Sequence, residues 1–231
     1  MTDEPPVVIR RLSYRLGDRR LLDGVELSVA AGESVAVMGP SGAGKSTLLA
    51  LMIGLARPSA GEIRIGGEDV RRLSGTRLAA FRRDRVGMVF QFGELLPELE
   101  ALENVAMAGL LAGRSRRDAR AEARALLADV GVPVRAGVTT AALSGGERQR
   151  TAIARALMGA PPVLLADEPT GSLDEPARDR ITRLLFDLPR SRGCALLVVT
   201  HDSAVASAAD RTVLLRAGEL VEDPALTGCA R

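Results

Sequence analysis

Residues 33–55 read ESVAVMGPSGAGKSTLLALMIGL, a strand, a glycine-rich loop and a helix in immediate succession. ESVAVM (33–38), with its apolar run from Val35 to Met38, reads as a buried strand entering a Gly-rich loop. Gly39, Pro40, Ser41, Gly42, Ala43, Gly44, Lys45 and Ser46 follow with the spacing G-x-x-x-x-G-K-[ST], and Thr47 comes next. The glycines let the backbone curl so that its N–H groups surround phosphate oxygens. A helix begins at once and points its positive end at the same anion. Lys45 then reaches the β- and γ-phosphates, and the Ser46 hydroxyl ligates Mg²⁺. The helix, KSTLLALMIGL, is stopped by Pro58.

Outward from this unit, strands and helices alternate. VVIRRLSY (7–14), VELSVA (25–30) and GEIRIGG (61–67) read as strands bounded by Gly turns. RLAAFRRDR (77–85) reads as a helix and VGMVF (86–90) as a strand. From residue 161 the alternation resumes with VLLAD, the helix EPARDRITRLLFDL, the strand ALLVVTHD and a hairpin turning at Ala217-Gly218. Strands alternating with helices predict a parallel α/β sheet. Residues 92–160 are helical in pattern and interrupt it. In RRDARAEARALLADVG, Ala119, Ala123, Leu126, Leu127 and Val130 fall on one face, with Arg and Glu opposite, before Gly131 and Pro133 end the helix. The basic face reads as a solvated surface.

Composition narrows the class. The 231 residues carry 31 Lys+Arg and 29 Asp+Glu, a net charge of +2, with 46% hydrophobic and 26% charged residues. That is a globular composition, and it lacks the charge excess that would attract nucleic acid. Thirty of the 31 basic residues are Arg, so Lys45 stands alone. Cys194 and Cys229 have no metal-ligand spacing and fit a reducing cytoplasm. The N-terminus has no signal-peptide pattern, and no apolar run reaches membrane-spanning length.

Two more strings carry chemistry. Val163-Leu164-Leu165-Ala166-Asp167-Glu168 is a buried strand that ends in paired carboxylates. Asp167 can hold Mg²⁺, and Glu168 is placed to polarise an attacking water. Leu143-Ser144-Gly145-Gly146-Glu147-Arg148-Gln149-Arg150 opens a helix whose inner face is Ala152, Ile153, Ala156 and Leu157. Its N-terminus offers free N–H groups, a hydroxyl and a positive dipole end, with Ser144 as N-cap.

A phosphate-cradling loop, an LSGGE helix and a strand ending in Asp-Glu resemble an ABC-family ATPase cassette over about residues 7–222. The resemblance implies an α/β P-loop NTPase fold. Its RecA-like core would span 1–91 and 161–231, with an antiparallel β subdomain and an α-helical subdomain inserted at 92–160. It further implies that Tyr14 stacks on adenine, although packing on the sheet is the other reading of that residue. Gln91 would touch Mg²⁺ and water and couple to a membrane partner. Ser172, Leu173 and Asp174 would cross a dimer interface, and His201 would contact the γ-phosphate. Two cassettes would pair head to tail, each ATP lying between the loop of one and the Ser144, Gly145 and Gly146 turn of the other. The implied cofactors are ATP and Mg²⁺. The implied partner is an integral membrane permease, at the cytoplasmic face of the inner membrane, with no nucleic acid.

LLADEPTGSLD, LEALENV, VGMVFQ and VVTHD resemble the lipoprotein-releasing, macrolide-efflux and cell-division type of ATPase. The short segment after residue 222 leaves no room for the regulatory domain of many sugar-importer ATPases. An importer ATPase is the alternative. A soluble DNA-repair or ribosomal cassette would need a second cassette or a long coiled coil. Glu147 departs from the Gln of many members but can still cap the helix. Phe92-Gly93-Glu94 departs in the loop that faces the permease.

Overall fold

Residues 4–222 are described by a computed structural model of the chain. Met1–Asp3 and residues 223–231, Cys229 among them, lie outside the described residues. Five parallel strands form the central sheet: β3 (Ser34–Met38), β6 (Val86–Val89), β7 (Val163–Asp167), β8 (Ala195–Val199) and β9 (Arg211–Arg216). The sixth, β10 (Glu219–Glu222), returns antiparallel, giving the order β10-β9-β3-β8-β7-β6. Every residue of β8 is buried, as expected of a parallel strand covered on both faces. Ala217 and Gly218 both take positive φ, the geometry that joins β9 to β10 in a two-residue hairpin.

The register sets the site. Val37 pairs with Val199, and Asp167 pairs with Val199 on the other side. The ends of β3, β7 and β8 therefore lie side by side, and the loops that follow emerge along one edge. In open α/β sheets that edge is where ligands bind.

A second, antiparallel sheet has the order β2-β1-β4-β5, built from β1 (Val7–Leu16), β2 (Arg19–Val29), β4 (Ala60–Ile65) and β5 (Glu68–Asp69). It shares one core with α1 (Lys45–Met52) and with one face of the parallel strands, through Val7, Ile9, Leu22, Leu48, Ile63 and Leu165. The helix predicted to run to Leu55 stops at Met52, and β2 begins at Arg19 rather than Val25. The earlier start follows from the tight Gly17-Asp18 turn, which pairs Leu16 with Arg19.

α2 (Gly75–Arg85) precedes β6. Between β6 and β7 lie α3 (Ala101–Leu111), α4 (Arg116–Asp129) and α5 (Gly145–Leu157). Ala119, Ala123, Leu126 and Leu127 of α4 are buried. The α3–α5 helices have no core of their own. They pack in one cluster with Leu164 and Ala166 of β7, Leu196 and Val198 of β8, and Ile181 and Leu185 of α6 (Glu175–Arg192). α6 runs through Pro189 to Arg192, beyond the predicted end at Leu188, and α7 (Ser203–Ala206) is a single turn. Residues 92–100 and 130–144 are mainly loop. Buried Asn104 holds the first of these: its Oδ1 accepts from Leu96 N (2.8 Å), and its amide donates to Leu96 O (3.0 Å). α5 approaches β6 so closely that a Cβ on Gly87 would sit 2.2 Å from the Ala156 carbonyl oxygen. Among the described residues, no helix is long and apolar enough to cross a membrane.

Candidate nucleotide and catalytic site

The loop from Gly39 to Gly44 leaves β3 and enters α1, whose first residue is Lys45. Lys45 is buried (8% exposed), and its ammonium donates to the carbonyls of Gly39 (2.6 Å) and Pro40 (3.2 Å). A Cβ on Gly39 would lie 2.6 Å from the Leu215 carbonyl oxygen of β9, so this position has no room for a side chain. Gly44, at φ 107°, starts the helix in a conformation that glycine takes at little cost. The first N–H groups of α1 have no intrahelical acceptors and adjoin the loop.

Asp167 closes β7. Ser46 Oγ donates to its Oδ1 at 3.3 Å, bringing a hydroxyl and a carboxylate from distant parts of the chain into contact. Burial first, then neighbouring Glu168, push the Asp167 carboxyl above the ordinary range, while Ser46 and Lys45 oppose the shift. A half-buried carboxylate of this kind is suited to a cation. Among the described residues no three His, Cys, Asp or Glu side chains cluster as a metal site. Mg²⁺ does not need such a cluster: it takes one or two protein oxygens and completes its shell with phosphate and water. Ser46 and Asp167 fit that requirement.

Glu168 takes φ 44°, a left-handed conformation costing a non-glycine residue roughly 1–2 kcal/mol. Its N–H donates to Val199 O at 2.9 Å, which fixes the turn. Glu168 Oε1 lies 2.8 Å from His201 Nδ1, and Thr200 Oγ1 donates to Oε2 at 3.1 Å. Thr200 N in turn donates to Val37 O on β3. Lys45, Ser46, Asp167, Glu168 and His201 therefore stand on one edge, at the ends of three adjacent strands.

Gln91 follows β6. Its side-chain amide packs on Gly171, with Nε2 2.8 Å from where a Gly171 Cβ would be, and its backbone carbonyl accepts from Ser172 Oγ at 3.3 Å. Asp174 Oδ1 caps α6, accepting from Ala177 N at 2.8 Å. Tyr14 sits on β1 opposite Leu22, partly buried against the shared core. Ser41, Gly42 and Ala43 complete the loop with Pro40, and Thr47 lies in the first turn of α1.

The Ser144 turn is a separate locus. Ser144 Oγ accepts from Glu147 N (3.2 Å), and Glu147 Oε2 accepts from Ser144 N (3.0 Å), a reciprocal capping box. These bonds from the Ser144 backbone and hydroxyl hold the Glu147 carboxyl below its ordinary range. Beside the turn, a cleft of about 890 Å³ runs past Gly145, Gly146 and the 172–174 loop to the end of α4. Arg148, Arg150 and Arg180 line it, and no residue of the Gly39–Thr47 loop does. The Arg150 Nε is buried and finds no acceptor among the described residues. The turn thus presents an anion-receptive surface that the chain's own phosphate loop does not share.

Residues 22–171 match the family model described as ABC transporter. The chain belongs to the ABC transporter family. It is an ATP-hydrolysing cassette, the ATP-binding subunit of a transporter. It is 51% identical over 212 residues to the lipoprotein-releasing system ATP-binding protein LolD of Geobacter metallireducens, covering 91% of this chain and 94% of that one. The LolD of Chromohalobacter salexigens is 49% identical over 212 residues, covering 91% and 90%. The dimeric post-hydrolysis structure of the ATP-binding cassette MJ0796 bound to ADP and Pi superposes with a TM-score of 0.82 at 38% identity, covering 93% of this chain and 96% of that one. The cassette resembles the lipoprotein-releasing type, as its DEPTGSLD string implies, and the importer reading gains no support.

The structure also brings Thr200, Arg150 and Gln149 beside these residues, and the sequence alone assigns none of the three a role. Gln149 carries a signal: it stands three and four residues before Ala152 and Ile153, on the buried face of α5. A polar side chain there requires a partner, and it finds one in Phe90 O.

Proposed function

We propose that this chain powers a separately encoded integral membrane partner of the lipoprotein-releasing type, from the cytoplasmic face of the inner membrane. Two copies would pair head to tail. The observation that carries the pairing is the Ser144 cleft: an anion-receptive helix start with an orphan guanidinium nitrogen and no phosphate loop on its lining. A two-fold pairing sets it against the Gly39–Ser46 loop of a second copy and makes two composite sites.

The residue roles follow from this reading. Lys45 exchanges its carbonyl partners for β- and γ-phosphate oxygens. Gly39 to Thr47 surround the phosphates with N–H groups. Ser46, Asp167 and Gln91 would hold Mg²⁺, which supplies charge neutralisation between the phosphates when bound. Glu168 accepts the proton of the attacking water, and water oxygen bonds to the γ-phosphorus as the bond to ADP oxygen breaks. His201, oriented through Nδ1 by Glu168, keeps Nε2 for the γ-phosphate. Tyr14 offers its ring to adenine, and Ser144, Gly145, Gly146 and Asp174 act across the interface. Support for the partner is the 51% identity to a lipoprotein-releasing ATP-binding protein over nearly the whole chain. It is joined by a groove of about 720 Å³ between α2, β6, α3 and α5, lined by Phe90 and edged by exposed Leu111. A cytoplasmic helix of the permease would dock there.

The test is a pull-down of the Glu168→Gln chain from native membranes with ATP, followed by mass spectrometry. A co-purifying permease with few spans and a large outer domain is the expected result. A many-span permease with a binding protein would replace this reading with an importer. Ribosomal or DNA-repair proteins would remove the membrane assignment altogether.

A further inference from the structure

The backbone on both sides of Gln91 is held by side chains of α5. Gln149, 2% exposed, donates from Nε2 to the carbonyl of Phe90 at 3.0 Å. Arg155, further along the same helix, donates to the carbonyls of Gly93 (2.7 Å) and Glu94 (2.6 Å). Glu94 takes φ 48°, a left-handed conformation costly for a non-glycine residue, so the tight turn that Arg155 grips is one the backbone does not favour unaided. Gly93 is buried, so its carbonyl has little access to water, and charge-assisted bonds from a guanidinium are among the stronger ones. α5 itself is seated on β6 through the missing side chain of Gly87, and its other end is the Ser144–Gly146 turn. The Gln91 side chain takes no part in this grip and faces Gly171 instead.

We propose that Gln149 and Arg155 are positioning residues that fasten the Gln91 loop to the Ser144 helix, so that engagement of that helix by a second copy's nucleotide sets the position of Gln91. The inference rests on the reading of Gln91 as a ligand of metal and water. α5 thereby links two parts of the chain that would belong to different composite sites. One helix faces the partner's nucleotide at its start and holds the metal-side loop of its own chain along its length.

The experiment uses the purified full chain with ATP and Mg²⁺. Gln149→Leu keeps size and burial and removes the donor. Turnover is expected to fall about tenfold with KM for ATP changed less than about twofold, the pattern of a lost transition-state arrangement. The Mg²⁺ concentration for half-maximal rate is expected to rise. In a Gln91→Ala background the same substitution should change turnover less than about twofold, because a residue acting through another has nothing left to act on. Multiplicative losses, or no loss in the wild-type background, would overturn the proposal. Gln149→Glu, which keeps the shape, and Arg155→Met serve the same cycle if Gln149→Leu does not fold. Hydrogen exchange separates this proposal from the role of Gln91. ATP and Mg²⁺ with Glu168→Gln should slow exchange at residues 90–94 and 144–148 together, and adding Gln149→Leu should leave only 144–148 protected. Protection of 90–94 in both chains would overturn the fastening whatever Gln91 does. Loss of protection with a Gln91→Ala chain of normal turnover would keep the fastening and remove the metal role of Gln91.

Discussion

Glu168 and His201 face each other across the ends of adjacent strands, Oε1 to Nδ1 at 2.8 Å, with the carboxylate largely shielded and the imidazole two-thirds exposed. In the proposed mechanism the shielded carboxylate would act as the base, and the exposed ring would meet the incoming phosphate. Glu168→Gln keeps a side chain of the same shape but cannot take a proton, so phosphate release should fall about 100-fold or more. ATP binding persists, and the ATP-bound dimer accumulates in light scattering. A monomer under those conditions would count against the pairing. His201→Ala should lower turnover while leaving Thr200 to hold Glu168.

Lys45→Ala should abolish binding of a fluorescent ATP analogue or its turnover, and unchanged turnover would sink the assignment of the loop. The change also deletes the two bonds to Gly39 O and Pro40 O, so the loop loses its internal clasp. A net cost of about 1 kcal/mol per such bond is the scale to expect in chemical denaturation.

Ser144→Ala removes the acceptor for Glu147 N and should cost about 1 kcal/mol of stability, the typical value for an N-cap. Ser144→Arg would do more, closing the turn to the second copy's nucleotide. It should abolish turnover while the single chain still binds ATP.

Acid should weaken the same helix start. The folded Glu147 carboxyl sits below its ordinary range, held there by bonds from Ser144. Its contribution is therefore present above the ordinary glutamate range and is lost as pH falls through the lowered folded value. Glu147→Gln should flatten the acid limb of a melting-temperature profile, and an unchanged limb would exclude the effect.

Asp167 carries the opposite sign. Burial raises its folded value, so stability is full below the ordinary aspartate range and declines as pH rises from there through the raised folded value. Asp167→Asn should melt higher than the parent at neutral pH without nucleotide, a gain of about 2–4 °C for each kcal/mol in a chain of this size. The same variant should lose Mg²⁺-dependent turnover. A lower melting point would show that the carboxylate is structural.

Much of this is legible in order along the chain. The Gly39–Ser46 spacing, the apolar strands ending at Asp167 and Val199, and the Ala119-Ala123-Leu126-Leu127 stripe each declare an element by local pattern alone. What resists reading is either long-range or out of pattern. Pro189 does not end α6, because the helix is already anchored ahead of it by Ile181 and Leu185, buried in the shared cluster. β2 extends back to Arg19 through pairing with β1, which its charged start conceals. Thr200 belongs to the site only because β3 and β7 flank β8, a fact of strand order. Asp174 reads from family resemblance as an interface residue, and its visible work within one chain is to cap α6.

The lone ε-amine of this protein is folded inside the loop that is to hold phosphate. Reagents and modifying enzymes that target lysine have a single side-chain address here, with no bystander on the surface. Acylation at that address would cancel the charge and fill the cradle in the same event. A mass shift on one peptide would then read out directly how much of the population has been silenced, and bound nucleotide would shield it.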